Sequence, residues 1–244
     1  MKQIFAMMRR EIKAYFSSPL AYAIISIFLI ICSVGFLQMI IRHMMSQKVT
    51  ITEGIVAPMA IFEGFILLIM LPAVSMRLLT EERKSGTSEL LLTSPLSTLQ
   101  IVLGKYLGSL SILAIMLILT FPFPVILLLK GQPELGPILL SYVGVFLLGA
   151  TFLSIGLFTS SLTENQIISF LSCFTILILM WLEDSLRRFG GLFFSELLTD
   201  LSIFQSMTDF AVGVVDTKNI IFFLSLISFF LFLTQRVIDS SKWR

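Results

Sequence analysis

Residues 59–79 read MAIFEGFILLIMLPAVSMRLL, and residues 80–98, TEERKSGTSELLLTSPLST, follow at once with charge, Gly, Thr, Ser and Pro. The length of the first stretch and the abruptness of the second decide the fold class. An α-helix rises about 1.5 Å per residue, so roughly 20 apolar residues cross a ~30 Å hydrocarbon core. Residues 59–79 meet that requirement. Residues 80–98 cannot extend the run, because charged side chains in hydrocarbon are costly. The pair reads as a membrane span ending in a polar loop.

The same test applied outward finds five further segments, at 20–41, 103–129, 138–160, 167–182 and 219–236, of which 167–182 is the shortest. The expected fold is therefore an all-α integral membrane protein with six transmembrane helices. Composition agrees: of 244 residues, 57% are hydrophobic and 13% charged, against roughly 25% charged in soluble domains. The formal net charge of +2 is too small to point to nucleic acid as a partner. Cys32 and Cys173 both lie in apolar segments and read as buried thiols, not as a disulfide framework. His43 is the single histidine, and without a cysteine cluster it leaves no zinc site. The segment VLGKYLG has Gly104-Lys105 but lacks the earlier Gly and the following Ser or Thr of a phosphate-binding loop. The chain is thus expected to have no catalytic residue, metal or cofactor of its own. The first apolar run begins near Leu20 and lacks a small-x-small cleavage site, so it reads as a retained span.

Lys and Arg set the expected orientation. With the N-terminus inside, Lys2, Arg9, Arg10, Lys13, Arg77, Arg83, Lys84, Lys105, Arg236, Lys242 and Arg244 fall on the cytoplasmic side, and Arg42, Lys48, Lys130, Arg187, Arg188 and Lys218 fall outside. Eleven against six places both termini and the 80–98 loop in the cytoplasm. Residues 1–19 form a separate unit ahead of the span domain, 20–244. At 100° per residue, Ile4, Phe5, Met8, Ile12, Tyr15 and Phe16 share one arc, with Lys2, Arg9, Arg10 and Lys13 beside it. That pattern describes an interfacial helix, apolar face in the membrane and basic face toward anionic lipid headgroups. The sequence SSP at 17–19 ends it.

Within the spans, Pro72, Pro122 and Pro124 predict kinks, and Gly104, Gly108, Gly149 and Gly156 allow close helix approach. Glu63 sits about one turn inside the 59–79 run. Two readings are open for it: snorkelling to the outer interface, or a place on a translocation path. Residues 183–218 mix six carboxylates with apolar pieces too short to span, and read as outer-side interfacial or re-entrant helices.

In the loop, Gly86 supplies a positive φ for a reversal and Thr87 an N-cap for a short helix SELLL that Pro95 stops. Ser97 and Gln100 have the spacing of a capping box, with Leu96 and Ile101 as its staple. Thr163 and Gln166 repeat that spacing ahead of the fifth span. The connection is therefore expected to be rigid.

These features together resemble the permease subunits of ABC-2 type transporters, with the six-span, type V exporter-like architecture and N-terminal amphipathic helix of that family. The family pattern E-E-x-x-x-G-T-x-E-x-L-L-x-x-P, followed by G-K, is matched at Glu81, Glu82, Gly86, Thr87, Glu89, Leu91, Leu92, Pro95, Gly104 and Lys105. The stretches FTSSLTENQIISF and DFAVGVVDTKNIIFF look most like the gliding-motility-associated branch. The resemblance implies a bacterial inner-membrane subunit paired with a second permease, either a copy of itself or a similar chain. It also implies a cytoplasmic ABC ATPase subunit carrying ATP and Mg2+, with an auxiliary envelope subunit as a further partner. On this basis Glu81, Glu82, Arg83, Gly86, Thr87 and Glu89 form the ATPase-coupling loop; a solvated charge run at a helix end is the plainer alternative. Other classes remain for comparison. An ion-coupled secondary transporter or channel would need several ionisable groups at mid-membrane, and a structural anchor would need no ATPase. An intramembrane protease with paired glutamates would need histidines on later helices, which are missing.

Overall fold

The computed structural model describes residues 2–46, 50–87, 96–131, 133–189 and 203–241. Every regular element among them is helical: α1 (Lys2–Phe16), α2 (Pro19–Ser46), a π-helical turn (Thr52–Val56), α3 (Ala57–Ser75), α4 (Thr80–Lys84), α5 (Thr98–Thr120), α6 (Pro122–Gly131), α7 (Leu135–Leu162), α8 (Gln166–Phe189), α9 (Ile203–Val212) and α10 (Thr217–Ser241). In hydrocarbon no water pairs with backbone N–H and C=O groups, so a spanning segment that satisfies them internally must be helical.

Among the described residues, five stretches are long and apolar enough to cross a membrane: Pro19–Met45, Thr52–Lys84, Thr98–Gly131, Leu135–Leu162 and Thr217–Ser240. The sixth expected crossing differs. The apolar stretch of α8, Gln166–Leu182, is shorter than the others, because Glu183 and Asp184 follow it. The helix nevertheless continues through these carboxylates to Phe189, where the sequence reading had it end at 182.

Helix α7 forms the axis of the bundle. In its apolar window 67% of the residues are buried, against 17% in α10, which faces outward. An axial helix rich in Ser and Thr stays buried because its hydroxyls bond to its own carbonyls: Thr151 to Leu147, Ser154 to Thr151, Thr159 to Gly156 and Ser160 to Leu157, all at 2.7–3.0 Å. The break between α5 and α6 follows from Pro122, which has no N–H for the Ile118 carbonyl. The Phe121 N–H takes that carbonyl at 3.1 Å instead, and the chain turns.

Residues 190–202, part of the expected outer-side helices, lie outside the described residues. Residues 203–212 form α9, which buries Ile203, Met207, Phe210 and Ala211. Close contact is possible because α7 has Gly144 there; a Cβ on it would lie 2.5 Å from Phe210 Cβ. Gly213, at φ +92°, ends α9, and Asn219 of α10 donates to Asp209 at 3.0 Å, clamping the turn.

One end of the bundle gathers α1, α4, the start of α5 and the end of α10. Thr98 donates to Asp239 of α10 at 2.6 Å, and the Tyr15 hydroxyl of α1 donates to the Val74 carbonyl of α3 at 2.9 Å. Burial pushes the Tyr15 phenol up from its ordinary value, so it stays a neutral donor.

Candidate functional site at the polar hairpin

The chain leaves α3 through residues 76–79, makes the single turn α4, and reverses at Gly86. Gly86 has φ +70°, as the sequence led one to expect, and a Cβ there would meet nothing within 4 Å. The need for glycine is therefore one of backbone conformation, not space. The reversal is closed on itself. The Ser85 hydroxyl donates to Glu81 O at 2.8 Å and pairs with the Thr87 hydroxyl at 2.8 Å. The Thr87 hydroxyl also reaches Glu82 O at 3.4 Å. Glu89, the short helix expected over 88–92 and Pro95 lie outside the described residues. Ser97 caps α5 as a capping box: its hydroxyl accepts from Gln100 N–H at 3.3 Å, and Gln100 Oε1 accepts from Ser97 N–H at 3.1 Å. The second box differs. Asn165, not Thr163, caps α8, its Oδ1 accepting from Ile167 N–H at 2.9 Å. Thr163 instead accepts from Asn165 N–H at 3.1 Å, two residues too early to cap the helix.

The six residues expected to form the coupling loop do not all face one way. Glu81, Gly86 and Thr87 are exposed and Arg83 is half-buried. Glu82 turns inward. Its Oε1 lies 2.9 Å from Lys105 Nζ of α5, and Lys105 Nζ also donates to Glu11 Oε1 of α1 at 3.0 Å. Arg10 approaches Glu82 from the rim at 3.7 Å. One ammonium, with its side chain only 2% exposed, thus joins three segments of the chain: α1, the hairpin and α5. Beside it lies a polar cavity of about 330 Å³, bordered by Ser18, Arg77, Glu81, Ser85 and Thr87.

Sequence reasoning placed Lys105 only within a motif and did not single out Glu11. The available signal was weak but present: Glu11 is the one carboxylate on a helix with four cations, and Lys105 lies between Gly104 and Gly108. Those glycines let α1 touch α5, since Cβ atoms on them would lie 2.6 Å from Met7 Cβ and 2.6 Å from Glu11 Cβ. The docking seam of α1 is consequently Met7 and Glu11, while Phe5, assigned to the apolar arc, is 62% exposed.

Glu63 stands apart from this cluster. Its helix begins at Thr52, earlier than expected, which puts Glu63 three turns inside. Glu63 is 4% exposed, so its side chain is packed within the bundle. It lines a small cavity with Phe36, Ser141 and Tyr142.

Long apolar helices joined by a closed polar hairpin define a multi-pass membrane protein. The profile of the ABC-2 family transporter proteins matches residues 5–243, and the chain belongs to that family. It is a permease subunit of an ABC transporter, a family that associates with an ABC ATPase subunit. No curated protein matches the chain.

Proposed function

We propose that this permease converts the closing and opening of a separate cytoplasmic ATPase, which carries ATP and Mg2+, into rearrangement of paired permease bundles. The output is export or mechanical work across a bacterial inner membrane. The observation that carries the reading is the Lys105 bridge. A hairpin held by Glu82 to both α1 and α5 moves with them, whereas a free loop would absorb displacement without passing it on.

The hairpin divides its labour on this reading. Glu81, Gly86 and Thr87, with Arg83 and Glu89, present the surface that the ATPase grips, and Glu82 anchors the grip to the bundle. The exposed Lys2, Arg9, Arg10 and Lys13 of α1 face anionic lipid headgroups. α8 makes the fifth of six crossings, so that α10 returns the chain to the cytoplasmic side. α9 caps the outer end, and Glu63 lies on the translocation path. A second permease pairs through the spans, and an auxiliary envelope subunit completes the assembly if the chain falls in the gliding-motility branch.

Co-purification with the ATPase tests this. A Glu82→Lys, Gly86→Pro variant is expected to lose ATP-driven activity and to retain less ATPase than the wild type. Undiminished binding and activity in that variant would overturn the coupling assignment.

A further inference from the structure

The cavity beside Glu63 has a consistent chemistry. Its walls come from five elements: α2 with Phe36, the π-helical turn, α3 with Glu63, α6 with Pro124, and α7 with Ser141 and Tyr142. Its volume is about 30 Å³, space for one or two waters or a small ion. Among these lining residues Glu63 is the only carboxyl group. The ion pairs among the described residues gather around Lys105, away from Glu63.

The other polar groups at the cavity add acceptor oxygens. The Tyr142 hydroxyl pairs with the Thr120 hydroxyl at 3.1 Å. The Ser141 hydroxyl is spent as a donor on Pro137 O at 2.6 Å and Ala211 O at 3.4 Å, which leaves its oxygen free to accept. Ala211 belongs to the last turn of α9, so the negative end of that helix faces Ser141 as well. Pro124 has no N–H for the Thr120 carbonyl one turn earlier, which removes that carbonyl's helical partner. Two backbone irregularities, the π-helical turn and the Phe121 break, border the same space. Irregular backbone at membrane depth is tolerated where it lines a cavity, and π-turns concentrate at functional sites.

We infer that the Glu63 cavity is a binding site for a small monovalent cation, either hydronium or an alkali-metal ion with a remaining water, held by the Glu63 carboxylate and the Tyr142 and Ser141 oxygens. One carboxylate among neutral oxygens matches a single positive charge. The other titratable groups that face Glu63 are the Cys32 thiol from α2 and the Tyr142 phenol from α7. The π-helical turn and α6 contribute only apolar side chains to the lining. This deepens the reading of Glu63 as a path residue and rests on it only for where the ion goes next. Occupancy belongs to the permease chain alone.

The test uses the purified full-length chain without its ATPase, so its failure and the failure of the coupling reading are distinguishable. Dicyclohexylcarbodiimide is the probe, since it adds to a protonated carboxyl in an apolar setting and leaves an N-acylurea that peptide mass spectrometry locates. Wild type and Glu63→Gln are labelled from mildly acidic to mildly alkaline pH, in choline chloride or in sodium or lithium chloride at equal ionic strength. Their melting midpoints are measured in the same buffers. A several-fold suppression of Glu63 labelling by sodium or lithium, with a rise in melting midpoint that Glu63→Gln lacks, identifies an alkali-metal ion. Labelling that falls several-fold as pH rises and ignores the salt assigns the bound charge to a proton delivered by hydronium and excludes an alkali-metal ion. Tyr142→Phe is expected to weaken whichever ion binds by several-fold without abolishing it. If neither labelling nor melting of the wild type differs from Glu63→Gln in its dependence on pH or salt, the site is not there.

Discussion

At the scale of single residues, Lys105 answers two carboxylates from segments that the sequence keeps far apart. Lys105→Met leaves Glu11 without a counter-charge and Glu82 with only Arg10 at the rim, and stranding a buried charge costs about 3–5 kcal/mol in comparable sites. The expected result is a marked fall in melting midpoint. Glu11→Gln combined with Lys105→Met should cost less than the sum of the single changes, and a double-mutant cycle measures the difference. Gly86→Ala should behave otherwise. It meets no neighbour, so it pays only for a left-handed backbone, about 1–2 kcal/mol. ATP-driven activity is expected to fall in that variant while ATPase co-purification persists. Gly86 was legible in the sequence because a tight polar reversal has one residue type that fits it. The inward turn of Glu82 was not legible. Its partners sit on other helices, Glu11 far upstream and Lys105 beyond the loop, and local pattern carries no information about which helices touch.

At the scale of elements, the capping box at Ser97 was read correctly because all its atoms lie within four residues. Removing it by Ser97→Ala should cost about 1 kcal/mol, with faster amide exchange at the start of α5 as the readout. The Thr163 box shows the limit of such readings. The same spacing failed there because Asn165, two residues nearer the helix, outcompetes Thr163 as the cap. Asn165→Ala is therefore expected to destabilise the start of α8 more than Thr163→Ala does, again by amide exchange. Span lengths were legible wherever apolar runs ended at charges or prolines. They misled at α8, where backbone hydrogen bonding carries the helix past Glu183 and Asp184, and at α3, where Gly54 and Glu53 hid a helix that starts at the π-turn. The seam between α1 and α5 was not legible. Amphipathicity marks the arc that the sequence assigns to the membrane, whereas Gly104 and Gly108 offer the closest approach between helices, and α1 packs on them. Gly104→Leu should accordingly release α1 from α5, and limited proteolysis between α1 and α2 would report it.

At the scale of the whole molecule, the bundle sorts its contents by end. The hairpin, the docked α1 and the terminus of α10 meet at one end, while α9 and the Glu63 cavity lie toward the other. The proposed orientation makes a sharp expectation. In right-side-out vesicles, a membrane-impermeant thiol reagent should label Val214→Cys and spare Ser85→Cys until the membrane is opened. The native thiols, both buried, contribute little background. Reversed labelling would invert the topology and remove the ATPase from the hairpin. The three-way bridge at Lys105 also has an evolutionary corollary. A drift in any one of positions 11, 82 and 105 strands a charge on the other two, so across relatives these columns should change as a set. A homologue with a neutral side chain at the Lys105 position is expected to have shed at least one of the two matching acids.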